Sequence, residues 1–104
     1  MPVLNVGNRS IHVDNDGYLK NFDEWDEHVA RALAQREGIE LGEEHMEIVR
    51  FVRDFFAEHK TAPMLTYLTR KSGVSFRRLH QMFGKQPGKR AAKLAGLPKT
   101  TGCT

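Results

Sequence analysis

Cysteine is scarce in this chain of 104 residues: there is one, Cys103, a single position from the end. A lone thiol excludes an intramolecular disulfide and any cluster built on thiolate ligands. A free thiol also fits a reducing, cytoplasmic setting, which is the expected location. No apolar run approaches the roughly 20 residues that cross a bilayer. The opening Met1-Pro2-Val3-Leu4-Asn5 lacks the basic, apolar and small-residue segments of a secretory leader. The histidines, His12, His28, His45, His59 and His80, show no ligand-like spacing, and Glu44-His45 is not followed by a second His four residues after the first. They read as surface or capping residues, so no metal and no cofactor is expected. Nothing resembles a phosphate loop, a nucleophile elbow or a pair of catalytic carboxylates, and Asp23, Glu24, Asp26 and Glu27 read as a solvated first turn.

The second scarcity is regional. Residues 59–104 contain no acid and ten Lys/Arg, while residues 1–58 hold all 13 acids against six Lys/Arg. The formal net charge of +3 therefore conceals halves of −7 and +10. A basic half of this size attracts an anionic partner, nucleic acid or an acidic protein, unless it neutralises the acidic half of its own domain.

What is present amounts to one soluble domain with a single modest core, at 39% hydrophobic and 28% charged residues. Val3–Val6 and Arg9–Val13 flank Gly7-Asn8, a hairpin signal. Asp14-Asn15-Asp16-Gly17 is a second turn, with Tyr18-Leu19 as a short third strand. A helix is expected from Phe22-Asp23-Glu24-Trp25 to about Arg36, capped by Asn21 or Asp23, with Trp25, Val29 and Leu33 on its apolar face and Gly38 as its stop. The strongest helix starts at Gly42-Glu43-Glu44-His45, where Ile48, Val49, Val52, Phe55 and Phe56 form a broad stripe expected to dominate the core. After Pro63, Met64–Lys71 and Phe76–Phe83 are joined by Ser72-Gly73-Val74-Ser75, the spacing of a helix-turn-helix. Pro87 opens a last short basic helix, and Gly96 begins a tail rich in Gly, Pro and Thr. The fold class is thus α+β and mainly α: a small N-terminal β-meander or hairpin packed on about five helices. Residues 1–95 form one domain and 96–104 a mobile arm carrying Cys103.

Two chemistries follow from the residues. Arg77, Arg78 and Gln81 on the second helix of the helix-turn-helix suit guanine and adenine edges and phosphates, so a DNA-binding regulator is one reading. Cys103 supplies the other. A free thiol ionises near pH 8.5. Lys93 and Lys99 favour the thiolate and the terminal carboxylate of Thr104 opposes it, so no strongly activated nucleophile is expected. The position supplies reach instead, about 30 Å for the eight residues after Gly96 fully extended. Such an arm suits a thiol that enters another protein's site, collects a group and carries it away.

The segment Lys89-Arg90-Ala91-Ala92-Lys93-Leu94-Ala95-Gly96-Leu97-Pro98-Lys99-Thr100-Thr101-Gly102-Cys103-Thr104 resembles the C-terminal arm of the DsrC/TusE family. Asp16-Gly17-Tyr18-Leu19, the run from His45 to Phe56 and Thr61-Ala62-Pro63 are also similar to it. The resemblance implies a β-meander packed on helices and a penultimate cysteine, here Cys103, that accepts sulfur as a persulfide and passes it on. It implies a sulfur-donor complex of the TusBCD/DsrEFH type as one partner. The other is an acceptor, either a tRNA 2-thiouridylase or dissimilatory sulfite reductase, so nucleic acid is met only indirectly and no membrane is involved. It makes Lys89, Arg90, Lys93, Gly96, Leu97, Pro98, Lys99 and Gly102 the docking arm. In the sulfite reductase branch a second arm cysteine lies eleven residues before the last; that position is Ala92 here, which favours a one-cysteine, TusE-like shuttle. A docking subunit of sulfite reductase without its own sulfur chemistry is the further alternative. Thr100 and Thr104 depart from the family's proline and its Val or Ile.

Overall fold

In the computed structural model, residues 2–99 are described. Strands β1 (Val3–Val6) and β2 (Arg9–His12) form an antiparallel hairpin in which Val6 faces Arg9. That register leaves Gly7-Asn8 as a two-residue loop. Gly7 has φ of +59° and Asn8 does not share the positive sign, the pattern of a type II′ turn, whose twist matches that of the flanking strands. The expected third strand is a single bridge, Val13 to Leu19. Between them the Asp14 carboxylate accepts from the amides of Asp16 and Tyr18, closing the turn that presents Asp16 outward.

Five α-helices follow: α1 (Glu27–Arg36), α2 (Glu43–His59), α3 (Leu65–Ser72), α4 (Phe76–Phe83) and α5 (Pro87–Leu94). Asp26 caps α1 by accepting from Val29 N–H, and Ser75 caps α4 by accepting from Arg78 N–H. The expected helix start at Phe22 is corrected: Phe22–Glu24 is one 3₁₀ turn, Trp25 is extended, and α1 begins two residues later. Trp25 therefore leaves the apolar face of α1 and is free to turn toward the C-terminal half. His45 ties α2 to α4. Its Nδ1 accepts from Gly42 N–H at 3.3 Å, which leaves the ring proton on Nε2 to donate to the Met82 carbonyl at 2.9 Å.

The core differs in emphasis from the expected one. On α2, Met46, Ile48, Val49 and Val52 are buried, while Phe55 and Phe56 are only half-buried. The element at the centre is α5, which packs against α1, α2 and α4. Its small residues explain this. Ala91, Ala92 and Ala95 let three helices approach one short segment, and Leu94 and Leu97 fill the space between them, all five buried.

Candidate functional site

The segment leading to Cys103 is built from the C-terminal end of α5. Gly96 N–H donates to the Lys93 carbonyl and Leu97 N–H to the Ala92 carbonyl, each at 3.1 Å, the paired bonds of a Schellman motif. The motif requires a left-handed residue, and Gly96 has φ of +79°. Two carbonyls at this helix end are satisfied by side chains from elsewhere: Trp25 Nε1 donates to Leu94 O at 2.8 Å and Arg53 donates to Ala95 O at 3.0 Å. Arg53 also donates to Phe22 O at 2.7 Å, and its guanidinium lies over the Phe22 ring at 3.7 Å and the Trp25 ring at 4.6 Å. Burial pushes its pKa down, against weaker opposing attraction from Asp23 and Asp54.

These contacts correct part of the expected arm. Leu97 is 0% exposed and belongs to the hydrophobic core, and Gly96 is enclosed by Trp25, Leu19 and Arg53. Both are therefore held in the body of the fold and not on a free segment. The chain becomes exposed at Pro98 and Lys99. Gly102 and Cys103, together with Thr100, Thr101 and Thr104, lie outside the described residues.

Four of the expected docking residues do converge. Lys89, Arg90, Lys93 and Lys99 line one groove of about 300 Å³, together with Asp16, Tyr18, Glu37 and Gln86. Much of their charge is compensated in place. Lys93 Nζ lies 2.8 Å from Glu37 Oε2, with side chains 14% and 21% exposed, and 5.1 Å from the centre of the Tyr18 ring. Lys99 pairs with Asp16, holding that carboxyl below its ordinary value and raising its own. Arg90 donates to the Phe83 carbonyl at 3.3 Å. Burial, helped by the Asp14 charge, raises the Tyr18 phenol. The two lysines expected to favour a Cys103 thiolate are thus each matched by a carboxylate.

Arg77, Arg78 and Gln81 sit together on the exposed side of α4. Arg78, however, is held by Glu44 of α2 at 2.6 Å and lies 3.4 Å from Gln81, so its guanidinium is engaged within the fold. The pair raises Arg78 and lowers Glu44. Nothing in this arrangement favours the DNA-binding reading.

Trp25, Arg53, Asp16 and Glu37 were not singled out from the sequence as site residues. The available signal for Arg53 was a cation set beside Val52 on the buried stripe of α2; for Asp16 it was the turn cluster; for Trp25 and Glu37 no local pattern pointed to α5.

The family model for DsrC like protein matches residues 5–104, which includes the helix end just described and runs through the penultimate cysteine. This chain belongs to the DsrC-like family. It is 44% identical over 102 residues to sulfurtransferase TusE of Salmonella choleraesuis, covering 91% of this chain and 94% of that protein. The oxidized gamma-subunit of the dissimilatory sulfite reductase (DsrC) from Archaeoglobus fulgidus superposes with a TM-score of 0.91 at 37% identity, covering 99% of this chain and 100% of that one. A chain of dissimilatory sulfite reductase I superposes with a TM-score of 0.90 at 34% identity, with the same coverage. The hairpin on five helices is therefore the DsrC fold. The residue at the position expected for a second thiol, Ala92, is 3% exposed on α5. Among the described residues no helix is long and apolar enough to cross a membrane.

Proposed function

We propose that this DsrC-like chain is a sulfur-relay carrier that holds sulfur as a persulfide on Cys103. The observation that carries the reading is kinship to sulfurtransferase TusE along nearly the whole chain, with the family match running to the end. Cys103 is the one cysteine, so no other thiol competes for the role.

The chemistry is redox-neutral. Cys103 thiolate attacks the outer sulfur of a donor persulfide, R–S–SH. The donor S–S bond breaks, the donor leaves as a thiolate, and the new bond makes Cys103–S–SH. An acceptor thiolate then attacks the outer sulfur and releases Cys103 thiolate. A proton moves with solvent in each direction as thiol and thiolate interconvert. With one cysteine the chain closes no disulfide on itself, so both steps take place with other proteins.

The partners of this reading are a TusBCD-like donor complex and a tRNA thiouridylase-type acceptor. The TusE kinship and the alanine at position 92 support this branch over one that needs two arm thiols. Lys99, which is exposed, and Lys89, half-buried in the same groove, suit acidic partner surfaces. Incubation with a persulfide donor, followed by intact-protein mass spectrometry, is expected to show an adduct of one sulfur atom that is absent in Cys103→Ser. Equal adducts on the two proteins would overturn the proposal.

A further inference from the structure

The geometry points to Arg53 as a positioning residue for sulfur transfer, acting with Trp25 to fix where the Cys103 segment leaves the body. This rests on the carrier reading above. Helix ends normally leave their last carbonyls to solvent or to a local turn. Here Leu94 O and Ala95 O are taken by an indole and a guanidinium that come from 69 and 42 residues away in sequence. Arg53 reaches two carbonyls at once, Ala95 O and Phe22 O. Its planar fork allows both bonds while the same plane rests on Phe22 and Trp25; a lysine ammonium lacks that geometry.

The arrangement exceeds what stability of α5 alone requires, because the Schellman bonds already close the helix. What it adds is a fixed exit. Cys103 lies four residues beyond Lys99, a reach of about 14 Å when extended. Where loss of the clamp also releases Leu97 from the core and Lys99 from Asp16, the stretch from Ala95 to Cys103 is eight residues. Effective concentration at a docked partner's site falls roughly as the −3/2 power of tether length, so doubling the tether lowers it about threefold. A small persulfide that diffuses to the thiol is indifferent to the exit point.

The test uses the full chain carrying Arg53→Lys and Arg53→Gln, with Val49→Ala, one turn earlier on the same helix, as a control for general loosening of its buried face. Loading of Cys103 is timed with glutathione persulfide and with a purified persulfide-carrying TusBCD complex. The ratio of protein-donor to small-donor rates is expected to fall about threefold in the Arg53 variants and to stay at the wild-type value in Val49→Ala. An unchanged ratio, or an equal fall in Val49→Ala, would overturn the role. A second readout does not depend on sulfur chemistry. Trp25 and Cys103 are the sole tryptophan and sole cysteine, so an AEDANS label on Cys103 reports energy transfer from Trp25. The distribution of transfer efficiencies is expected to broaden in both Arg53 variants, with the unlabelled proteins as lifetime references, and an unchanged distribution counts against positioning. If wild type takes sulfur from neither donor, the carrier reading fails, and energy transfer alone decides whether Arg53 fixes the exit.

Discussion

Replacing Gly96 by alanine separates two physical effects that glycine serves at once. The first is backbone: with φ of +79°, a residue with a Cβ pays the left-handed penalty of about 1–2 kcal/mol. The second is space. A Cβ at this position meets Trp25 Cδ1 at 2.8 Å, Leu19 Cδ2 at 3.0 Å and Arg53 Nη1 at 3.2 Å. None of these neighbours withdraws easily. The indole is held by its bond to Leu94 O, the guanidinium by Ala95 O and Phe22 O, and Leu19 is buried. Overpacking of this kind typically costs a further 1–3 kcal/mol, so Gly96→Ala is expected to destabilise by about 2–5 kcal/mol. Against a total of about 5–15 kcal/mol for a small domain, that is a large fraction, and it lowers Tm by about 10 °C or more. Gly73→Ala is the matched control, because Gly73 has φ of +74° with no heavy atom near the added Cβ. It is expected to lose only the backbone part. Urea unfolding followed by circular dichroism and by Trp25 fluorescence measures both variants. Equal losses at the two glycines would refute the close-approach reasoning and with it the rigid clamp around the helix end.

Two further outcomes follow from the same contacts. Leu97→Ala is expected to cost about 2–5 kcal/mol in urea unfolding, as for a buried leucine in a core; a loss near zero would mean that the segment after α5 is not packed as described. On the acid side, Asp16, Asp26 and Glu44 all have lowered carboxyl pKa values, set first by Lys99, by Val29 N–H and by Arg78 respectively. A lowered folded value contributes stability that is complete above the ordinary carboxylate range and lost as pH falls through the lowered value. The urea midpoint is therefore expected to show no loss from these groups between neutral pH and about pH 5, and a fall below about pH 4 that is shallower in a variant carrying Asp16→Asn, Asp26→Asn and Glu44→Gln. An identical fall in that variant would remove these three groups as its cause.

The local parts of the fold were legible because their causes are local. Gly7-Asn8 between β-branched stretches specifies the hairpin, Ser75 specifies the start of α4, and the apolar spacing after Gly42 specifies α2. Trp25 departs from its expected place for a related reason. Its spacing to Val29 and Leu33 fits a helical face, but Asp26 takes the cap and ends that continuity one residue later. Phe55 and Phe56 are less buried than expected because periodicity shows which face is apolar, not whether another element covers it. The centrality of α5 was hidden by composition. Lys89, Arg90 and Lys93 make it look like a surface helix, while the alanines that let three neighbours close around it carry little hydrophobic signal. At the site, the basic groove was legible as a run of cations. The clamp was not, because its carbonyl acceptors exist only once the Trp25 segment and α2 meet the end of α5.

The charge partition takes on a different meaning once the fold is known. Halves of −7 and +10 suggest a strongly cationic face, yet Lys93, Lys99 and Arg78 from the basic half each pair with an acid from the other, Glu37, Asp16 and Glu44. Part of the asymmetry is thus spent inside the molecule, in agreement with the self-neutralising alternative. Two of these pairs stand beside the exit of the Cys103 segment, and they differ in kind. Lys93–Glu37 is largely shielded from water and braces α5 against the end of α1. Lys99–Asp16 is about half exposed on both sides and is screened by salt. An acidic partner surface that engages Lys99 competes with a carboxylate already in place, whereas Lys93 is not available to it without opening the fold. The groove therefore offers a partner an exchange of ion pairs at Lys99 and additional attraction from Lys89, rather than the sum of all its cations.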